Sequence, residues 1–525
     1  MPLPEAAGNK SAGASLPQPD SSRGVRWLAL ILLFASGTAV RLLCLVHKPF
    51  WFDECFSVEM AWLDWRNFIH IMWWREANMA LYYLLLRLWL HFGHTEFFIR
   101  SLSVVMAVAT LPAIYWLARL LYNRRVAVIA TALLTFNAYH VRYSQEARTY
   151  TLYLLLATLS SCFLIVVLRE PTRRNRIAYA LTGILAVYAH FYALLLLVAH
   201  WLAVRLLVGS GTSRDKELQE ASISFQLRRT WIQIGVAVLP LLIFVAKTGA
   251  GPIRWVHRPS VHDFIAFCEN LSGGNTWPLA AIFTVLCAAA VVPFRAHLRA
   301  RAQSFEVWRC QFLLLWLLFP VVLTLVLSII RPVFLTRYLI FCLPALLTLA
   351  AAGLARLRQA WLLAVAMTVV LLLAGQGIFF VYDHDFDASR DSAGAATNFI
   401  LDRSQPGDAI IFHIPQIRIP YEFFRSMRAG QNTASANFTG HVGPDIVYPH
   451  YAAGLDYLDL KGKLSPDFVR TAAPRHPRVW VVLMFNGPKL PDPTAVMLSE
   501  VLPESFPKVQ RWQFPMVEIR LYSRQ

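Results

Sequence analysis

The sequence predicts an α-helical polytopic membrane protein followed by a small soluble α/β domain. Three observations carry that expectation. Of 525 residues, 57% are hydrophobic and only 15% charged, whereas soluble domains carry about 25% charged residues. Apolar runs of the length that crosses a hydrocarbon core of about 30 Å, about 20 residues, recur as far as residue 381. Beyond that point the composition changes to Pro, Gly, Asp and short alternating runs.

Taken in order, residues 1–26 are polar and rich in Pro, Ser, Gly and Ala, and are expected to form a disordered cytoplasmic tail. The run 27–46 is too long for a signal-peptide core and lacks a cleavage site, so it counts as the first span. About ten more spans are expected near 99–118, 126–141, 150–168, 177–191, 193–208, 231–247, 277–294, 311–330, 338–355 and 361–381, about eleven in all. Arginine-rich connections then fall on one face, among them Arg23/Arg26, Arg119/Arg124/Arg125, Arg173/Arg174/Arg176, Arg228/Arg229, Arg295/Arg299/Arg301 and Arg356/Arg358. The positive-inside rule makes that face cytoplasmic. The expected location is the plasma (inner) membrane, multi-pass, with the N-terminus cytoplasmic and the C-terminal domain periplasmic.

The opposite face receives the segment 47–98, the turn 142–149, the loop 248–276 and the tail from 382. Within the first of these, LYYLLLRLWLHF (81–92) is too short and too amphipathic to span and is expected to lie in the interface. In the tail, 409–413, 479–485 and 517–523 read as strands and 389–403 as a helix. The expected division is therefore 1–26 tail, 27–381 membrane domain and 382–525 external α/β domain.

The composition also excludes functions. A formal charge of +18 could suggest a nucleic-acid partner, but the basic residues sit in short clusters between apolar runs and mark topology instead. There is no GxxxxGK[ST] and no GxGxxG, so a nucleotide donor has no support. The seven cysteines form no CxxC pair. A Cys55–Cys268 bridge is the one pairing worth checking.

Two constellations could carry chemistry. Asp53 and Glu54 in FWFDE stand just past the first span, and Glu146 stands in a short turn on the same side. Carboxylates at similar depth suit acid/base work or a divalent cation. Arg100, Arg148, Arg331 and Arg337, the last followed by Tyr338, stand at span ends on that side, where positive charge is disfavoured. Any one of them could simply reach for headgroups. Together with the acids they would form an anion pocket, and the planar guanidinium suits a phosphate. His190 and Tyr192 could line a sugar pocket, or belong to an interfacial aromatic belt. A divalent metal ion is a candidate cofactor, with Glu146, His257 and His262 as candidate ligands.

FWFDE, LYYLLLRLW followed by FFIRSLS, SQEARTYTL and the late RYLIFCLPAL together resemble the membrane-embedded GT-C glycosyltransferases. The likeness is to the bacterial branch of the protein mannosyltransferase and aminoarabinose transferase group, over roughly residues 25–385. The resemblance implies a GT-C-like helical fold and transfer of a sugar from a polyprenyl-phosphate donor to a lipid, glycan or protein acceptor, usually with inversion. It implies that Asp53 is the first-loop acid acting as catalytic base or orienting the acceptor, with Glu54 its partner and Glu146 the acid of the second external loop. Arg100 matches the arginine at the outer start of the second span, and Arg337 and Tyr338 match positions that hold the lipid phosphate. The chain departs from the pattern at Asn78-Met79-Ala80, where many relatives carry His-Pro-Pro or Lys-Pro-Pro. Arg75, Lys247, Arg254 or Arg258 would have to supply the missing cation. The rival class is a transporter or flippase of lipid-linked sugars. It would place charges at mid-membrane in paired, broken helices, and no such repeat is visible.

Overall fold

The computed structural model describes residues 21–208, 214–248, 256–273, 277–292, 305–383, 388–433, 443–449, 464–484 and 492–524. The expected tail before residue 21, Arg254, and Arg295, Arg299 and Arg301 lie outside the described residues.

Helix occupies every stretch expected to span. The helices are α1 (Ser21–Leu42), α5 (Glu96–Leu121), α6 (Arg124–Thr135), α7 (Ala138–Ser144), α8 (Tyr150–Arg169), α9 (Arg173–Ala189), α10 (Ala193–Val208), α11 (Arg214–Thr248), α13 (Trp277–Val291), α14 (Phe305–Ile330), α15 (Leu343–Leu354) and α16 (Ala360–Asp383). A 3-10 run, Thr336–Cys342, leads into α15. Among the described residues, six segments are each long and apolar enough to cross a membrane: Glu96–Leu121, Tyr150–Arg169, Gln226–Thr248, Phe305–Ile330, Thr336–Leu354 and Ala360–Asp383. The chain is thus a multi-pass membrane protein. The remaining expected stretches are helical over shorter apolar runs, so the count of about eleven is not reproduced at full span length.

The stretch 126–141, read as one span, is two helices. Asn137 ends the first by capping α7, its side chain accepting from His140 N–H. Broken helices in apolar surroundings need partners for the freed carbonyls. Arg41, fully buried, supplies them to Leu134 at 3.1 Å and Thr135 at 3.2 Å and also meets His140 Nδ1 at 2.7 Å.

Between α1 and α5 the chain folds into α2 (Phe52–Trp62), α3 (Trp65–Ile71), a π turn (Met72–Glu76), a 3-10 turn (Ala77–Met79) and α4 (Ala80–Trp89). On α4, Tyr82, Tyr83 and Leu86 are buried, while Leu88 and nearby Phe92 are exposed, as an interfacial amphipathic helix requires. The segment before α13 holds α12 (Val261–Ser272), started by a reciprocal capping box between Ser260 and Asp263.

After α16 come α17 (Ala388–Arg403), β1 (Ala409–Phe412), α18 (Arg418–Thr433), β2 (Asp445–Tyr448), α19 (Pro466–Ala472), β3 (Arg478–Met484), α20 (Pro493–Val501), β4 (Lys508–Phe514) and β5 (Val517–Ser523). The strands form one sheet in the order β2-β1-β3-β5-β4, parallel from β2 to β3 and antiparallel beyond. Both faces are covered. Val479, Val481 and Leu483 enter one core, and Trp480 and Val482 the other. A strand buried on both sides reads as a continuous apolar run. Asp408 ties the sheet's start together, accepting from Arg478 at 2.8 and 2.6 Å and from Trp480 Nε1 at 2.9 Å.

Candidate active site

The helix α2 opens with two adjacent acids, Asp53 and Glu54, in its first turn, where unpaired N–H groups and the helix dipole favour carboxylates. Neighbouring side chains on a helix diverge by about 100°, so the two carboxylates face different surroundings.

Glu54 points inward and is fully buried. Arg100 of α5 binds it bidentately, Nε to Oε1 at 2.8 Å and Nη2 to Oε2 at 2.7 Å, and Ala147 N–H donates to Oε1 at 2.8 Å. The remaining Arg100 donors reach Leu45 O at 2.8 Å, Lys48 O at 2.6 Å and Pro49 O at 3.2 Å. A guanidinium has five N–H groups, and all five are engaged here. Arg100 has no donor left for a phosphate, and the expectation that it grips one is corrected. Glu54 likewise serves as the counter-ion that ties the 45–49 loop, α5 and the 145–149 turn to α2.

Asp53 faces the opposite way and is 19% exposed. Its Oδ2 lies 3.6 Å from Arg148 Nη2 and 3.8 Å from Arg337 Nη1. Those are ion-pair distances beyond hydrogen-bond reach, so the carboxylate is charge-compensated while its lone pairs stay available. Arg148, itself buried, also donates from Nη1 to Asp53 O and Ser57 Oγ, both at 3.3 Å. Its Nε is buried without a hydrogen-bond partner among the described residues. Arg337 is 20% exposed and lies over the rings of Trp51, at 5.9 Å, and Tyr338, at 5.7 Å.

An aromatic wall adjoins the arginines. His190, the residue that ends α9, packs against Tyr338 at 4.5 Å, Tyr153 at 5.1 Å and Tyr192 at 5.4 Å. Tyr192 donates its hydroxyl to Val333 O. Among the described residues, His190 Nε2 and the Tyr150 and Tyr153 hydroxyls are buried without hydrogen-bond partners. His190, Tyr192 and Tyr338 thus meet in one ring cluster.

Glu76 is a residue the sequence missed. It ends the π turn, accepts a hydrogen bond from Tyr83 Oη at 3.2 Å, and lies within electrostatic reach of Arg148 and Asp53. Burial pushes its carboxyl up to about 7, with Arg148 opposing the rise. The only hint in sequence was its place beside the departure at 78–80.

The other expected residues stand apart. Glu146 is buried, 4.0 Å from Arg142 Nε, and lines a cavity of about 10 Å³ with Lys48, Arg100, Arg142 and Gln145. That set differs from the residues touching Asp53. His257 and His262 are exposed near the start of α12, His257 meeting Asp263 at 3.2 Å. No group of three His, Cys, Asp or Glu residues that could hold a metal exists among the described residues. Glu146, His257 and His262 are therefore not a ligand set. Arg331 and Arg258 are exposed, and Lys247 sits over Trp73 and Trp74 at 5.9 and 5.4 Å. Cys55 and Cys268 are both free.

By sequence, neither a family model nor a curated relative matches the chain. By structure, it is similar to ArnT from Cupriavidus metallidurans in the apo state, with a TM-score of 0.60, 12% identity, and coverage of 96% of this chain and 99% of that one. The same protein bound to undecaprenyl phosphate matches with a TM-score of 0.57 at 12% identity, covering 94% of this chain and 97% of that one. An oligosaccharyltransferase from Archaeoglobus fulgidus, in complex with Zn and sulfate, matches at 0.51 and 12% identity over 86% of this chain and 67% of that one. The fold is that of ArnT. It extends through the C-terminal domain, since nearly the whole of both chains aligns with ArnT.

Proposed function

We propose that the chain is an integral membrane glycosyltransferase. It moves a sugar from a polyprenyl-phosphate donor to an acceptor hydroxyl or amine at the non-cytoplasmic surface of the inner membrane. The observation that carries this reading is Asp53 between Arg148 and Arg337, at 3.6 and 3.8 Å, with the aromatic wall of His190, Tyr192 and Tyr338 beside them.

In this reading Arg148 and Arg337 hold the lipid phosphate, and Asp53 takes the proton of the acceptor. The acceptor oxygen or nitrogen attacks the anomeric carbon from the face opposite the phosphate. The bond from that carbon to the phosphate oxygen breaks, and its electron pair leaves with the phosphate, where the arginines stabilise the departing charge. One displacement inverts the anomeric centre. The reading requires no metal-bound step, and the residues present near Asp53 make no ligand set. The undecaprenyl phosphate bound by ArnT supports the choice of donor. We further propose that 27–381 is the catalytic membrane domain and 382–525 a domain on the same side as Asp53.

The test is transfer by purified protein in lipid nanodiscs. The donors are undecaprenyl-phosphate mannose and undecaprenyl-phosphate aminoarabinose, and the acceptors are membranes from a strain lacking the gene. Donor consumption that depends on Asp53, with undecaprenyl phosphate released, is expected. Undecaprenyl phosphate that binds no better than a neutral polyprenol would refute the donor class.

A further inference from the structure

The helix α18 belongs to two cores at once. Ile417, just before it, and Tyr421 join Ile410, Phe412 and Trp480 on one face of the sheet. Ile419 and Phe423, both fully buried, belong instead to the membrane-domain core, with Phe424 and Met427 packed against it. Positions 419, 423 and 427 recur every four residues and so form one stripe of the helix.

That stripe lands on α2. The Phe423 ring stacks on Phe50, centroids 4.9 Å apart and planes at 14°. It also stacks on Trp62, at 6.1 Å and 16°. Phe50 stands just before α2 and Trp62 is its last residue. One ring of the C-terminal domain therefore touches both ends of the helix that carries Asp53. On its other side Phe50 lies under the Arg100 guanidinium at 4.5 Å, and Phe56 of α2 packs on Tyr83 of α4 at 6.3 Å. Asp53 meets Arg148 and Arg337 at ion-pair distance, and among the described residues no hydrogen bond to its carboxylate anchors it. Its distance from the arginines is set by where α2 sits.

We propose that Phe423 is a positioning residue, through which the C-terminal domain braces α2 and holds Asp53 in register with Arg148 and Arg337. This rests on the reading of Asp53 as the base. A misplacement of about 1 Å can cost about 10²-fold in rate, so the brace is expected to be visible in turnover.

The full chain in nanodiscs is compared with Phe423→Ala, Phe423→Tyr and Val469→Ala. Val469 is buried in the core on the other face of the sheet, so its truncation weakens the domain without touching α2. Three quantities are read: hydrogen exchange of the 52–62 amides, affinity for undecaprenyl phosphate, and single-turnover sugar transfer. Phe423→Ala is expected to speed exchange in α2 and slow transfer by roughly 10- to 100-fold. Undecaprenyl phosphate affinity should change by less than the transfer rate, because Arg148 and Arg337 are carried by segments other than α2 and only Arg148 bonds to it. Phe423→Tyr should restore both exchange and rate, and Val469→Ala should leave both unchanged. Unaltered α2 exchange in Phe423→Ala would overturn the brace, whatever the activity. Faster exchange with full transfer rate, or an equal loss in Val469→Ala, would overturn the positioning role. Absence of transfer by the unmodified protein would instead defeat the glycosyltransferase reading and the base with it, and the exchange result would still decide whether Phe423 holds α2.

Discussion

Replacing Asp53 with asparagine should move two measurable quantities in opposite directions. Asparagine keeps the size of the side chain and removes the charge that lies 3.6 Å from Arg148 and 3.8 Å from Arg337. A lipid phosphate on the far side of the guanidiniums would stand about 7 Å from that carboxylate. With an effective dielectric of about 40 for a partly exposed rim, one such repulsion is about 1.2 kcal/mol. Its removal should tighten undecaprenyl phosphate binding by roughly 5- to 10-fold. Loss of a general base should at the same time lower turnover by about 10²–10⁴-fold. Binding is measured by titrating the lipid into nanodisc-embedded protein at fixed ionic strength, and turnover by donor consumption at saturation. Turnover close to that of the parent removes Asp53 from the chemistry. Weakened lipid binding shows instead that Asp53 holds the arginines in place, and the electrostatic argument fails.

The other expectations concern the neighbours of Asp53. Glu54→Ala leaves Arg100 almost fully buried without its counter-ion and should destabilise the fold by about 3–5 kcal/mol, read as a loss of folded protein on heating; a stable variant that has merely lost turnover would place Glu54 in the chemistry. Arg337→Lys keeps the charge but not the planar fork, so undecaprenyl phosphate binding should weaken, and further in Arg337→Ala; equal affinities in all three proteins would remove Arg337 from the phosphate site. Glu76, raised to about 7, is largely protonated below that pH and gains a negative charge beside Arg148 as pH rises through it. Relative to Glu76→Gln, undecaprenyl phosphate affinity should therefore fall between about pH 6 and about pH 8, the ligand's own second ionisation near about pH 6 being common to both proteins; the same pH profile in both proteins would refute the assignment.

The membrane character, the positions of the long apolar helices and three of the five strands were legible in the sequence, because each rests on local composition. The two strands it missed have physical reasons. β2 is an edge strand in which only Tyr448 is buried, and β4 is the opposite edge, whose Lys508, Gln510 and Arg511 face solvent, so neither shows the buried run that marks β1. The break at Asn137 was hidden because the residues around it are apolar, and only the approach of Arg41 makes the freed carbonyls tolerable.

For the site, residue type and expected depth picked out Asp53, Arg148, Arg337, Tyr338, His190 and Tyr192, but on the same grounds also Glu54, Glu146, Arg100 and Arg331. Their pairing was decided by tertiary structure alone. Adjacent Asp53 and Glu54 are equivalent as letters, yet the rotation of α2 sends one into a saturated contact with Arg100 and leaves the other between two arginines. Glu76 entered because the first loop folds back over α2, a contact with no sequence period. The metal candidates came apart for the converse reason, since Glu146 is buried in its turn while His257 and His262 are exposed on another. Composition and periodicity act along the chain and set depth in the bilayer; which charge meets which is set by packing between segments as distant as Phe50 and Phe423.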